Sequence, residues 1–361
     1  MTADDPTGWI RSEIRSSTAY PVESVPEGTL RLDAMESPFD LPADFHRRLG
    51  EEMAGIPLNR YPDGSASELK ELLGKTLFGL SPDHLFLGNG SDEILQNLFL
   101  ATPGPILLSE PTFSMYRIIA RIAGRPVATV TQSADLILDT RELLEAVREH
   151  RPSLVVLSSP NNPTGREVSE ETVDRLCGEF PGAVLVDEAY FPFSGRTVLS
   201  LRKSHSRLMV LRTLSKMGLA ALRLGILAAD PRIVAELDKV RLPYNMNLLT
   251  QRAATLVCRE FLPVLEGQVR SIVDLREDLR RSLSCIPGVE PLPSSANFLL
   301  IRIGGKDPAE VARALAERGI LVRDVSRLHP LLAACLRVTI GTAPENGRFT
   351  AALAHILKGT P

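Results

Sequence analysis

Lys216 follows an apolar, strand-like run, Leu208-Met209-Val210-Leu211, and is bracketed by hydroxyls at Thr213 and Ser215, with Arg223 seven residues further on. Burial and neighbouring positive charge both push a lysine toward its neutral form, the form that condenses with a carbonyl. Hydroxyl and guanidinium donors at that spacing suit a phosphate. The stretch therefore has the parts for an amine that forms a Schiff base beside a bound phosphate, which is what pyridoxal 5'-phosphate requires. By itself a Ser-x-Lys at a strand end reads more simply as a solvated loop lysine, so the assignment depends on other residues.

Gly88-Asn89-Gly90-Ser91-Asp92-Glu93 follows the apolar run Leu85–Leu87 and leads into a helical pattern, Ile94–Leu100. Its glycines let N–H groups converge and a helix start adds partial positive charge, a second half for the phosphate cup, although an ordinary capped helix has the same look. Ser159-Pro160-Asn161-Asn162-Pro163-Thr164-Gly165 ends another apolar run. Its two prolines fix the backbone and leave the Asn162 amide as a donor for a phenolic ring oxygen, or they simply mark a turn. Ala183-Val184-Leu185-Val186-Asp187-Glu188-Ala189-Tyr190 sets a carboxylate at the end of a buried strand, where open α/β sheets bind ligands. Asp187 can pair with a protonated pyridine nitrogen and Tyr190 can donate to the ring oxygen; capping the next helix is the simpler use of the carboxylate. Phe113, in Pro111-Thr112-Phe113-Ser114-Met115-Tyr116, can stack on a pyridine face or belong to the core. Arg337 interrupts the apolar stretch Cys335-Leu336-Arg337-Val338-Thr339, which is unusual unless it meets an anion. Arg323, beside Asp324, suits an anion or a surface ion pair equally.

These residues need a frame. At 361 residues the chain exceeds one simple core, which implies two domains or one large α/β domain with an appendage. Hydrophobic content of 44%, charged content of 24% and a net charge of −3 are ordinary and point to neither nucleic acid nor an anionic membrane as partner. Four scattered cysteines, with no Cys-x-x-Cys pair and no histidine cluster, suggest neither a disulfide framework nor a metal site. The acidic start, Met1-Thr2-Ala3-Asp4-Asp5, lacks a signal pattern, and the most apolar run, Leu219–Ala229, is too short to span a bilayer; a cytoplasmic location is expected.

From about 85 to 230, short apolar runs alternate with helical patterns such as Asp139–His150, the rhythm of βαβ units and a mainly parallel sheet. Strands are expected at Pro105–Leu108, Val127–Val130, Leu154–Leu157, Ala183–Val186, Leu208–Leu211 and Leu224–Ala228. Upstream, Ser65-Ala66-Ser67-Glu68 looks like a capped helix start. Past 245 a long helix, Leu248–Cys285, leads to a strand, helix and strand at Asn297–Ile303, Asp307–Arg318 and Leu336–Ile340, a smaller α/β domain. The expected division is an arm over 1–35 that belongs partly with the small domain, a large cofactor-binding domain over 36–245, and the small domain over 246–361.

Taken in order, these stretches closely resemble the fold-type I pyridoxal-phosphate aminotransferases, and within them the histidinol-phosphate aminotransferases. Leu32–Pro38, Asn59-Arg60-Tyr61-Pro62-Asp63, Arg241–Asn247, Ser295–Phe298 and Leu336–Thr342 add to the match. The resemblance implies a homodimer with shared sites, in which Tyr61 reaches the cofactor phosphate of the partner. It implies Lys216 as Schiff base and proton shuttle, and Asp187, Tyr190, Asn162 and Phe113 around the ring. Gly90, Ser91, Asp92, Thr213, Ser215 and Arg223 would hold the phosphate, and Tyr20, Asn162, Arg323 and Arg337 would face the substrate. The implied reaction is transamination of histidinol phosphate with 2-oxoglutarate; an aromatic amino acid aminotransferase and a decarboxylase of a phosphorylated amino acid are similar in sequence. The chain departs from the family at Met35-Glu36-Ser37-Pro38, where Asn-Glu-Asn-Pro is frequent, and at Phe113, where tyrosine is common.

Overall fold

Continuous apolar runs rich in valine, isoleucine and leucine form strands that are buried on both faces when helices cover both sides of a sheet. In the computed structural model, which describes residues 5–19 and 25–358, such runs supply most of one large sheet. In chain order the strands are β1 (Leu30–Leu32), β2 (Leu85–Asn89), β3 (Ile106–Glu110), β4 (Val127–Thr131), β5 (Leu154–Ser158), β6 (Ala183–Asp187), β7 (Leu208–Thr213) and β8 (Leu224–Ala228), then β9 (Val289–Pro291), β10 (Phe298–Ile303), β11 (Ile320–Asp324) and β12 (Cys335–Thr339).

The large sheet has the order β2-β8-β7-β6-β5-β3-β4. The pairs from β7 through β4 are parallel, and β8 runs antiparallel to both β7 and β2, so the expected mainly parallel α/β sheet is what forms. Side-chain alternation divides the core in two. Val155, Leu157, Val184, Val186, Leu208 and Val210 pack in one cluster, and Leu154, Val156, Leu185, Met209 and Leu211 in the other. The smaller sheet has the order β1-β11-β12-β10-β9, with β1 from the N-terminal part of the chain parallel to β11. Among the described residues no helix is long and apolar enough to cross a membrane.

Two local expectations change. The helix Ser67–Leu73 begins after Ala66 at φ 48°, and neither serine caps it. The Asp63 carboxylate accepts from the N–H groups of Ser65 at 2.9 Å and Ser67 at 2.8 Å instead, because the charged acceptor reaches two donors at once. The long helix after 247 is three pieces, Leu248–Leu256, a wide turn at Val257–Phe261 and Leu262–Ser284. Pro263, which lacks an N–H, sits in the first turn of the last piece, where no intrahelical donor is needed.

Candidate active site

Parallel pairing brings the C-terminal ends of β5, β6 and β7 side by side, so Ser158, Asp187 and Thr213 reach one edge of the large sheet. Open α/β sheets bind ligands at such an edge. Beside it, the helix Gly90–Ala101 starts inside the glycine motif rather than at Ile94, because Gly90 takes φ +80° directly after β2. The Gly90 N–H donates to the Arg223 carbonyl at 2.6 Å. A Cβ on Gly90 would lie 2.5 Å from Arg223 Nη2, and one on Gly225 would lie 2.7 Å from Ser91 N. Gly225 thus lets β8 touch the helix start backbone to backbone, and Gly90 leaves room for the Arg223 guanidinium. Arg223 reaches Asp92 Oδ2 at 3.3 Å, and Thr213 Oγ1 lies 2.9 Å from both the Ser215 hydroxyl and the Leu224 carbonyl. First-turn N–H groups, two hydroxyls and a guanidinium therefore form one cup suited to a phosphate.

Lys216 lies in the short turn Ser215–Met217 that directly follows β7. Its pKa is lowered to about 8, chiefly by burial and next by the positive charge of Arg337, with Glu36 and Asp92 opposing. Arg223, the neighbour that the sequence points to, contributes less. Lys216 Nζ lies 5.9 Å from the centre of the Tyr190 ring. Tyr190 is buried edge-on against Phe298 at 5.2 Å, and its hydroxyl contacts Met35 Sδ at 3.1 Å within hydrogen-bonding reach of Asn162. Burial raises the Tyr190 pKa, so the hydroxyl stays a donor.

Asp187 is 4% exposed. Burial raises its pKa to about 6, against hydrogen bonds from the Tyr116 hydroxyl at 2.7 Å and the Ala189 N–H at 3.0 Å. The half-buried Phe113 meets Tyr116 edge to face at 5.5 Å. Tyr116 was not singled out from the sequence; it lies in the first turn of the helix Ser114–Ile122, which Phe113 precedes.

Arg337 interrupts a strand that is buried throughout, and the structure supplies the reason. It donates to Asn162 Oδ1 and to the Asp33 carbonyl, each at 2.6 Å. With its oxygen engaged, Asn162 keeps its amide nitrogen as a donor. Arg323 stands directly opposite Arg337 across the β11–β12 pair, so the two side chains leave the same face of the sheet. Asp324 does not pair with Arg323, since its carboxylate accepts from the Ser326 N–H at 2.8 Å. Tyr61 stays apart from this cluster: it is 80% exposed and stacks on Tyr244 with ring centres 4.6 Å apart. Tyr20 lies outside the described residues.

A cup for a phosphate, a buried carboxylate and a partly neutral lysine are the groups that pyridoxal phosphate needs, and they fit it. A family model for "Aminotransferase class I and II" matches residues 29–353. The chain belongs to this aminotransferase family. It is 41% identical to histidinol-phosphate aminotransferase 2 of Nitrosococcus oceani over 356 residues, 98% of either chain. It is also 41% identical to histidinol-phosphate aminotransferase 1 of Ralstonia nicotianae over 360 residues, 98% of this chain and 95% of that one. Among solved structures, the histidinol-phosphate aminotransferase of Sinorhizobium meliloti in complex with pyridoxal-5'-phosphate superposes with a TM-score of 0.84 at 26% identity, covering 97% of this chain and 98% of that one. L-threonine-O-3-phosphate decarboxylase of Porphyromonas gingivalis shares the fold, with a TM-score of 0.79 at 22% identity over 91% of this chain and all of that one (100%). The aminotransferase fold thus comes with the lysine, carboxylate and cup that the family's cofactor calls for.

Proposed function

We propose that this aminotransferase transfers the amino group of histidinol phosphate to 2-oxoglutarate, giving imidazole-acetol phosphate and glutamate, as a step of histidine biosynthesis. The observation that carries the reading is the pair Arg323 and Arg337, opposite each other on one face and near enough to the lysine for Arg337 to depress its pKa. One substrate brings a phosphate and the other a side-chain carboxylate, and two guanidiniums on one face can receive either anion in turn. Near-full-length identity of 41% to histidinol-phosphate aminotransferases supports the same reading.

When bound, pyridoxal phosphate supplies an electron sink conjugated with the substrate α-carbon. Gly90, Ser91, Asp92, Thr213, Ser215 and Arg223 would hold its phosphate. The Asp187 carboxylate would pair with the positive ring nitrogen, Phe113 would stack on the ring, and Tyr190 and Asn162 would donate to the ring oxygen. Lys216 Nζ would be the base that takes the proton from the substrate α-carbon; a pKa of about 8 leaves a useful fraction of free amine near neutrality. The same reading gives Tyr20 a part in binding the substrate. The enzyme works in the cytoplasm as a homodimer, with Tyr61 completing the partner's phosphate cup; the exposed Tyr61, Tyr244, Leu58 and Leu242 are suited to an interface. The division into an arm over 1–35, a large domain over 36–245 and a small domain over 246–361 belongs to the same reading.

The deciding experiment is a single-turnover titration of the cofactor-loaded protein with histidinol phosphate, glutamate and phenylalanine in turn. Fast conversion by the first two and slow conversion by phenylalanine is expected. Equal conversion by phenylalanine makes the protein a broad aromatic aminotransferase, and carbon dioxide release without a keto-acid acceptor makes it a decarboxylase.

A further inference from the structure

A closed charge network joins the C-terminal ends of β6 and β7. Alternation sends Asp187 and Thr213 to one face of the sheet and their chain neighbours Glu188 and Arg212 to the other. Arg212 approaches Glu188 Oε2 through Nε and Nη2, each at 2.9 Å. Its Nη2 also donates to Thr197 Oγ1 at 2.8 Å and its Nη1 to the Leu77 carbonyl at 2.9 Å. Glu188 Oε1 accepts from the Val198 N–H at 2.8 Å and lies 2.8 Å from the Thr197 hydroxyl. The rings of Phe191 and Phe78 flank the guanidinium carbon at 3.8 and 4.9 Å. The two side chains are 9% and 1% exposed, so this is a buried ion pair with its hydrogen bonds satisfied.

Such a pair is a poor way to gain stability, because apolar side chains of similar volume hold a core as well or better. What a forked guanidinium on a carboxylate does supply is fixed geometry. The pair bridges adjacent strands at the level where one ends in Asp187 and the other in Thr213, just before the turn that carries Ser215 and Lys216. We infer that Glu188 and Arg212 are positioning residues, whose ion pair sets the spacing between the ring-nitrogen carboxylate and the lysine end of the cofactor site. The inference rests on the cofactor reading proposed above.

The test compares Glu188→Met/Arg212→Met together, Arg212→Lys alone and the wild-type protein. Three quantities are read: melting temperature without cofactor, pyridoxal phosphate dissociation constant, and the pH midpoint of the visible band of lysine-bound cofactor. Methionines keep the volume without leaving a lone buried charge, so the double variant folds with a melting temperature near that of wild type. Its cofactor dissociation constant rises about tenfold or more and the band's pH midpoint moves, as happens when partners that orient a binding group are lost. Arg212→Lys, which keeps the charge and loses the fork, falls between the two. A double variant with wild-type affinity and midpoint overturns the inference alone, as does a loss of affinity that merely follows a lost fold while Arg212→Lys behaves as wild type. A wild-type protein that shows no lysine-bound band overturns the parent reading and this one with it.

Discussion

The Tyr116 hydroxyl donates to Asp187 Oδ2 across 2.7 Å, with both side chains buried. This bond opposes the burial that raises the carboxyl's pKa to about 6. Tyr116→Phe therefore raises the Asp187 pKa further. It leaves a buried acceptor short of a partner, at a cost of about 1–3 kcal/mol in stability. Thermal melts and the pH dependence of cofactor binding check both effects; an unchanged pH midpoint would show that Tyr116 does not tune Asp187.

Cofactor affinity itself follows the ionisation of Asp187. Only the carboxylate pairs with a positive ring nitrogen, so binding to the cofactor-free protein weakens as pH falls through about 6. Asp187→Asn removes that dependence and weakens binding at neutral pH. Dissociation constants measured from pH 5 to 8 on both proteins are the check, with the cofactor's own titration subtracted using the variant.

Lys216 has a folded-state pKa of about 8 against an ordinary 10.5, so the folded cofactor-free protein binds fewer protons than the unfolded chain between those values. Stability from this group therefore rises with pH across that window and is flat below it. Lys216→Met flattens the rise in denaturant midpoints taken at pH 7.5, 9 and 10. Lys216→Ala should abolish the covalent cofactor band and lower turnover by about 10⁴-fold or more; normal turnover would remove the lysine from the mechanism.

Arg323 and Arg337 should separate in their effects. Arg323 makes no hydrogen bond or ion pair among the described residues, so Arg323→Ala leaves the melting temperature nearly unchanged while raising KM for histidinol phosphate about tenfold to a hundredfold. Arg337→Ala also loses its bonds to Asn162 and Asp33 and lowers both stability and kcat. Equal KM values for wild type and Arg323→Ala would take Arg323 out of the substrate site.

Tyr61 is tested by mixing. Lys216→Ala and Tyr61→Ala chains are each inactive or weak alone, and mixed dimers recover activity if each site draws on both chains. No recovery in verified mixed dimers would return Tyr61 to an ordinary surface role.

The sequence by itself determined the parts whose physics is local. Lys216 after an apolar run, Asp187 at a strand end and the glycine motif at 88–93 are legible because residue type and strand periodicity need only a few neighbours. The alternation of apolar runs and helical patterns likewise carried the α/β sheet. Only the tertiary structure decided what depends on register between distant segments. Arg323 opposite Arg337, Tyr116 on Asp187 and Arg212 on Glu188 are such contacts. Strand pairing and burial set them, and buried polar groups then take whichever partner the packing brings within reach.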